Sequence, residues 1–391
     1  MISVETAAEL IAKHLPDWGT EKISLGESRV GLLAESIESD RPYPPMDRIM
    51  MDGIALSWGT YQSGQRAFPI LGVVAAGDPP PSLTDPRGCF EVMTGAALPH
   101  GCDMVIPYEA LELKDGIAHI VDSQQWLPHQ FIHRCGSDAP AGKTILSPGI
   151  ILHSPAWGIL ASVGKTQVSV KRRPRTQIIA TGNELVCPEQ RPKPYQLRLS
   201  NAYALAAALQ RQGYTQLSII HLPDDPHAFT THYQQATRNY DLLIYCGGVS
   251  KGKFDYLPQI WRRQGVQQLV HGVAQRPGKP LWFGVDYQHK TAIFGLPGNP
   301  VSSLVCLHRY LLEMPPLYAR LATPFHFDKP LTYFLPVKLE ATTSAELIAH
   351  PRPTQNSGDF LALADSDGFL ELPAERDNFE AGECYRYFPW S

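Results

Sequence analysis

The sequence predicts a multidomain protein in which a parallel-sheet α/β domain sits between a β-rich lobe and a small C-terminal β domain. Three observations predict it. From residue 174 onward strand-like and helix-like segments alternate strictly; the last 60 or so residues carry strands and no helical period; and 45–144 consists of short strand-like pieces separated by turn residues. At 391 residues, 43% hydrophobic and 18% charged, the chain has room for several cores and the composition of a folded protein.

Taken in order, the start MISVETAAELIAKHL places Val4, Ala7, Leu10, Ile11 and Leu15 on one face and reads as an amphipathic helix, with residues 1–40 expected to be mostly helical. It lacks the apolar core of a signal peptide, and no stretch approaches the roughly 18 apolar residues of a membrane helix. Prolines, 35 in all, cluster at 42–45, 79–81, 188–194 and 314–316 and mark joints. Between the first two joints and beyond come AFPILGVVAAG, CFEVMTG, DMVIPYEALEL and IAHIV, the strands of the β-rich lobe. The mixed segment ILSPGIILHSPAWGILASVGKTQVSV at 145–170 is expected to return beside the first helix, which makes the β-rich lobe an insertion.

In the α/β region RTQIIATG is a strand, and NAYALAAALQRQG a helix with Asn201 as its cap and Gly213 at its end. TQLSIIHL, DLLIYCGG and TAIFGLPGNP are further strands, interleaved with the helices PHAFTTHYQQATRNY, FDYLPQIWRRQG and VSSLVCLHRYLLEM. This order implies a largely parallel sheet covered on both faces, with ligands at the carboxyl ends of its strands. LTYFLPVKLEA, GFLELPA and ECYRYFPW complete the β domain.

A formal charge of −4, with no basic run beyond KRRPR at 171–175, leaves no footprint for nucleic acid or an anionic membrane, and the basic knot reads as a solvated linker. Seven scattered cysteines without C-x-x-C spacing suggest neither a disulfide framework nor a zinc site, and point to a reducing, cytoplasmic setting. Cys246, beside two glycines, reads as a small buried hydrophobe rather than a nucleophile.

The chemistry gathers at the strand ends. Thr181-Gly182-Asn183-Glu184, Pro223-Asp224-Asp225, the loop GGVSKGKFDY from Gly247, and Leu296-Pro297-Gly298-Asn299-Pro300-Val301-Ser302 each follow an expected strand. Amides, hydroxyls, carboxylates and lysine together suit a phosphate-bearing ligand held partly through Mg²⁺, since a hard cation bridges groups that otherwise repel. Each piece also has a plainer reading: GGVS as a turn, Asp224-Asp225-Pro226 as a helix start, Glu184 as a loop cap. Neither Gly252-Lys253 nor Gly278-Lys279 has the frame of a Walker A loop.

GGVSKGKFDY, RPGKPLWFG and FGLPGNPVSS, with MMDGIAL at 50–56, resemble the molybdopterin molybdenumtransferase family (MoeA and the E domain of gephyrin), and the likeness spans nearly the whole chain. The resemblance implies a homodimer of four-lobed subunits: an elongated helical lobe (1–44 and 145–173), an inserted β-rich lobe (45–144), a MogA-like α/β domain (174–325) and a C-terminal β-barrel (326–391). It implies the last step of molybdenum cofactor synthesis, in which adenylated molybdopterin and molybdate are bound, the phosphoanhydride is cleaved, AMP leaves and molybdenum stays on the dithiolene. Transient contact with a molybdopterin adenylyltransferase would accompany that step.

On this resemblance the amides around Gly247, Gly248 and Ser250, with Gly252, would hold phosphates, and Asp255 would meet Mg²⁺ or ribose, with Asp224 as a second metal ligand. Lys279 with Ser302 fits an oxyanion such as molybdate, and Pro297 and Pro300 would join the binding residues. Glu184 is the expected chemical residue, and Asp52, Thr94 and Asp138 match family positions that enter the site from the second subunit. The chain departs from the pattern: Asn183 stands in TGNEL for the usual aspartate, Ile49-Met50 for Ser-Ala, Ser137 for glutamate in GSD, Phe131-Ile132-His133 for NIR, Leu199 for aspartate and Arg276 for lysine. These losses keep open a catalytically lapsed scaffold or cofactor-binding paralogue; the shared α/β lobe keeps open an adenylyltransferase.

Overall fold

The computed structural model describes residues 1–249, 256–312 and 317–390. The chain divides into two compact units, one built from 1–21, 29–31 and 171–391, the other from 22–28 and 32–170.

Helix α1 (Val4–His14) opens the first unit. The Ser3 hydroxyl accepts from the Thr6 amide at 3.1 Å, Glu5 lies in the first turn and Lys13 and His14 in the last, so the ends are capped and matched to the helix dipole. Val4, Ala7 and Ile11 are its buried face, packed in one cluster with Leu205 and Leu209. Residues 15–40 are not helical as expected. Pro16 and the left-handed Gly19 (φ +78°) stop the helix, and Thr20–Ser24 is a strand buried only at Ile23. Within 145–170, helix α2 (Ser154–Ser162) buries Ala156 and Leu160 among Ile23, Leu33 and Ile37 of the second unit.

The second unit holds a six-stranded sheet of β1 (Gly53–Leu56), β2 (Ala67–Val74), β3 (Cys89–Val92), β4 (Met104–Pro107), β5 (Leu111–Lys114) and β6 (Ile117–Ile120), in the order β4-β1-β3-β2-β6-β5. All four residues of β1 are buried, as befits a strand with a neighbour on each side.

In the first unit follow β7 (Thr176–Thr181), α3 (Asn201–Arg211), β8 (Leu217–Leu222), α4 (Pro226–Asn239), β9 (Leu242–Cys246), α5 (Leu257–Arg263), β10 (Gln267–His271), β11 (Trp282–Asp286), β12 (Thr291–Leu296) and α6 (Pro300–Tyr310). The sheet order is β8-β7-β9-β12-β11-β10; the first four strands are parallel, and β11 and β10 form an antiparallel edge that the alternating pattern did not reveal. Alternate strand residues serve opposite faces. Ile178, Ile244 and Phe294 pack with α1, α3 and α6, whereas Ile179, Tyr245 and Ile293 pack with α4 and α5.

The C-terminal strands β13 (Leu317–Leu321), β14 (Thr332–Ala341), β15 (Leu347–Pro351), β16 (Gly368–Leu372) and β17 (Cys384–Pro389) close as β14-β15-β13-β17-β16-β14. A small barrel results, filled by Leu321, Leu335, Val337, Leu370 and Leu372 among others.

The basic knot is not a solvated linker. Arg172 donates to Asp241 at 2.7 Å, and Arg175 grips the same carboxylate through its side chain at 2.9 and 3.0 Å and its amide at 2.9 Å, fixing the start of β9 to that of β7. Burial alone would raise the Asp241 pKa, but the two guanidiniums outweigh it and hold the carboxyl well below the usual range. A lowered pKa stabilises the fold above the ordinary carboxylate pKa, and the contribution is lost as pH falls through the folded value. Asp241→Asn should therefore cost about 2 kcal/mol at neutral pH, discounted for the partly exposed arginines. The gap to wild type, followed by urea unfolding, should narrow progressively below about pH 4.

Candidate functional site

A cavity of about 660 Å³ opens at the carboxyl ends of β8, β7, β9 and β12, lined by Glu184, Asp224, Gly247, Gly248, Pro297 and Pro300 among others. It lies over the point where the chain, having run from β7 to β8 on one side, crosses to β9 on the other. The two loops separate there and leave a crevice.

The crevice walls are tied together by short side chains. The Thr181 hydroxyl donates to the Cys246 carbonyl at 3.2 Å, across the gap between β7 and β9. Gly247 (φ +109°) has no room for a side chain, because a Cβ would sit 2.6 Å from that hydroxyl. Its amide donates to the Leu296 carbonyl at 3.0 Å, so this N–H belongs to the sheet and is not the phosphate donor it was expected to be. Asn183 accepts from the Asp224 amide at 3.1 Å. That bond needs an acceptor and not a charge, which accounts physically for an amide at this position. Asp225 accepts from the amides of His227 and Ala228 and caps α4 with Pro226 in its first turn, leaving Asp224 to line the cavity. Asn201 is not the cap of α3. It is the first helical residue, and its side-chain amide reaches the Gly298 carbonyl at 2.7 Å, fastening the LPGNP loop to that helix.

Glu184 is exposed and folds its carboxylate back over Gly182. A Cβ on Gly182 would lie 2.5 Å from one carboxylate oxygen and 2.7 Å from the other, while the Glu184 carbonyl accepts from the Leu197 amide at 2.9 Å. Gly182→Ala should displace the carboxylate, the flexible partner in that collision. Turnover is expected to fall at least tenfold, with a stability loss of about 1–2 kcal/mol from the positive φ of +140°. Steady-state kinetics beside thermal unfolding separates the two effects.

A second cleft, of about 490 Å³, shares Pro280, Pro297 and Asn299 with the first and holds Lys279 and Ser302 with Arg276 and Lys329. Three ammonium or guanidinium groups and buried Ser302 make it suited to a small oxyanion. Sequence reasoning missed one wall of it: Thr354, Asn356 and Ser357, from the loop after β15. Ser357 accepts from the Asn299 side chain at 2.7 Å, and its carbonyl accepts from the Val301 amide at 3.2 Å, at the start of α6. The only signal for it was its run of small polar residues.

Asp52, Thr94 and Asp138 lie in the second unit, on loops joined through the strand Arg48–Ile49. Ile49 exchanges backbone bonds with Gly95 and Ala96, and Arg48 and Ile49 pair with His133 and Ile132. Thr94 donates to one Asp52 oxygen through its hydroxyl at 2.7 Å and its amide at 2.6 Å, and these bonds hold the Asp52 carboxyl below its ordinary pKa. Asp138 accepts from His133 at 2.8 Å and Ser137 at 3.2 Å, the histidine bond contributing most to its lowered pKa. All three residues are exposed.

Ser250, Gly252 and Asp255 lie outside the described residues. Among the described residues no three His, Cys, Asp or Glu side chains cluster as a metal cage. Asp224, which lines the cavity, is the kind of ligand Mg²⁺ takes, since that ion keeps several waters and binds one or two carboxylates beside substrate phosphates. Cys246 is buried, and burial pushes its thiol up to about 12, which removes it as a nucleophile.

Three family models match in series: the MoeA N-terminal region (domains I and II) over 2–164, a probable molybdopterin binding domain over 177–317, and the MoeA C-terminal region (domain IV) over 318–390. A molybdopterin molybdenumtransferase from Synechocystis sp. is 54% identical over 390 residues, covering 100% of both chains. The enzyme of that name from Synechococcus elongatus is 31% identical, covering 98% of each. Among solved structures, a molybdopterin biosynthesis MoeA protein from Pyrococcus horikoshii superposes with a TM-score of 0.81 at 26% identity, over 100% of this chain and 99% of that one.

Proposed function

Because the chain belongs to the molybdopterin molybdenumtransferase (MoeA) family along its full length, we propose that the cavity at the strand ends binds adenylated molybdopterin and the adjoining basic cleft binds molybdate. The protein is a molybdopterin molybdenumtransferase and acts in molybdenum cofactor biosynthesis. One observation carries the assignment of parts: a cavity lined by Glu184 and Asp224 shares its wall, at Pro280, Pro297 and Asn299, with a cleft holding Arg276, Lys279 and Lys329. A nucleotide-linked substrate and an oxyanion are thereby set side by side.

In this reading Glu184 orients the oxygen that attacks the phosphoanhydride and takes the proton of an attacking water; the P–O bond to AMP breaks, and AMP leaves. Lys279 and Ser302 hold the oxyanion, and Pro297 and Pro300 shape the loop between the two ligands. Mg²⁺ held at Asp224 would neutralise phosphate charge. We assign the lobes as 1–44 with 145–173, 45–144, 174–325 and 326–391. In a cytoplasmic homodimer the β-rich lobe of one copy brings Asp52, Thr94 and Asp138 to the other copy's cavity, and an adenylyltransferase delivers the substrate. No helix among the described residues is long and apolar enough to cross a membrane.

The test is to mix the purified protein with adenylated molybdopterin, Mg²⁺ and molybdate and to follow AMP. Release that depends on molybdate is the expected result. Tight binding without turnover would instead support a lapsed paralogue, the reading kept alive by Ile49, Ser137 and Leu199.

A further inference from the structure

Asp138 ends a chain of three side chains, Arg48, His133 and Asp138 itself, whose polarity is fixed by chemistry. His133 stands directly opposite Arg48 in an antiparallel strand pair, and the Arg48 Nη2 lies 3.2 Å from His133 Nδ1. On the other side His133 Nε2 lies 2.8 Å from Asp138 Oδ1. A guanidinium has donors only, so Nδ1 must accept from it, and the imidazole proton must then sit on Nε2, where it donates to the carboxylate. One arrangement satisfies both contacts: a neutral ring with its single N–H aimed at Asp138.

The consequence for the carboxylate is directional. The Ser137 hydroxyl donates to the same oxygen at 3.2 Å, and among the described residues no bond falls on Oδ2. Lys143 approaches only the Asp138 backbone carbonyl, at 3.4 Å, while the Asp138 amide donates to the Tyr43 carbonyl at 2.9 Å. The main chain is thus anchored and one oxygen is occupied, which leaves the second without a hydrogen-bond partner among the described residues. Arg48 makes no hydrogen bond to the carboxylate itself; it fixes the ring, and its charge adds only the smallest of the attractions that the carboxylate feels.

We propose that Arg48 and His133 are positioning residues for the insertion reaction, Arg48 fixing the imidazole of His133 so that its Nε2–H fixes Asp138 with Oδ2 free for the substrate. The inference rests on the role given to Asp138 above. It also explains how a histidine serves where an arginine is expected from the family pattern. The positive charge stands on the facing strand, at Arg48, and the ring transmits its orientation without placing a second cation against it.

The experiment is a double-mutant cycle on the full-length protein, read as molybdate-dependent AMP release with kcat and KM separated. His133→Leu should lower kcat about tenfold or more with KM within about twofold, and Arg48→Leu should lower it in the same direction. The double variant should be little slower than His133→Leu alone, because Arg48 works chiefly through the ring. His133→Gln, whose amide both donates toward Asp138 and accepts from Arg48, should recover most of the rate, and it covers the case in which the leucine variant fails to fold. Multiplying single effects, or His133→Leu and His133→Gln equally slow, would overturn the proposal. Asp138→Asn keeps the two levels apart. If it is inactive while His133→Leu turns over normally, the positioning inference alone fails; if it is itself fully active, the role of Asp138 fails.

Discussion

Glu184→Gln is expected to reduce molybdate-dependent AMP release by 10²-fold or more while leaving substrate affinity nearly unchanged. The change is isosteric and removes the one property a general base needs, an ionised oxygen that can take a proton; positioned acid–base groups contribute about 10²–10⁴ in rate. Binding should survive because the residue's fixed contact is made by its backbone, whose carbonyl accepts from Leu197 at 2.9 Å, and because glutamine keeps the hydrogen-bonding outline. The sign of the kinetic change is diagnostic: kcat falls and KM stays. If the glutamate served only to cap its loop, kcat would stay within about twofold and the thermal midpoint would fall instead. Wild-type turnover in this variant would remove Glu184 from the chemistry.

The parallel part of the α/β sheet was legible because buried parallel strands are largely apolar runs that stop here at glycine or proline, and each run ended on residues with functional groups. The antiparallel edge was not. Trp282–Asp286 pairs with Thr291–Leu296 across a short turn, and its mixture of aromatic, glycine and acidic residues carries neither a helical nor a strand period of its own. Long-range polar contacts were equally hidden. That Arg172 and Arg175 clasp Asp241, or that Asn201 reaches Gly298, depends on separations of 66 to 97 residues that no local pattern encodes. The same holds at the candidate site, where Glu184 and Asp224 stood out as carboxylates at strand ends but Ser357, 58 positions from its partner Asn299, did not. The Gly247 amide shows the opposite error. A glycine at a strand end invites an anion-binding reading, yet here its N–H completes the sheet.

Gly53→Ala should produce the largest loss of stability of any single methyl added to the second unit. A Cβ at this position would lie 2.0 Å from the Ile106 carbonyl oxygen and 2.8 Å from the Pro107 Cα, both backbone atoms that cannot turn aside. β1 is interior, paired at Gly53 with Pro107 on one side and Val92 on the other, so it cannot slide outward as an edge strand would. Relief requires opening the β1–β4 ladder, and the cost should reach about 3 kcal/mol or more, at the upper end of overpacking penalties. The Asp52 carbonyl accepts from the Tyr108 amide at 3.1 Å at this junction, so the same opening would turn the Asp52 carboxylate away from Thr94. Thermal unfolding with hydrogen exchange across 53–56 and 104–107 would register the first effect and AMP release the second. An unaltered midpoint with normal exchange would show that the strands have room the geometry denies. The coupling of the two losses gives the MDG motif its physical sense: the glycine lets two strands approach until the carbonyl before it is bonded, and that bond sets the direction in which the aspartate leaves the sheet.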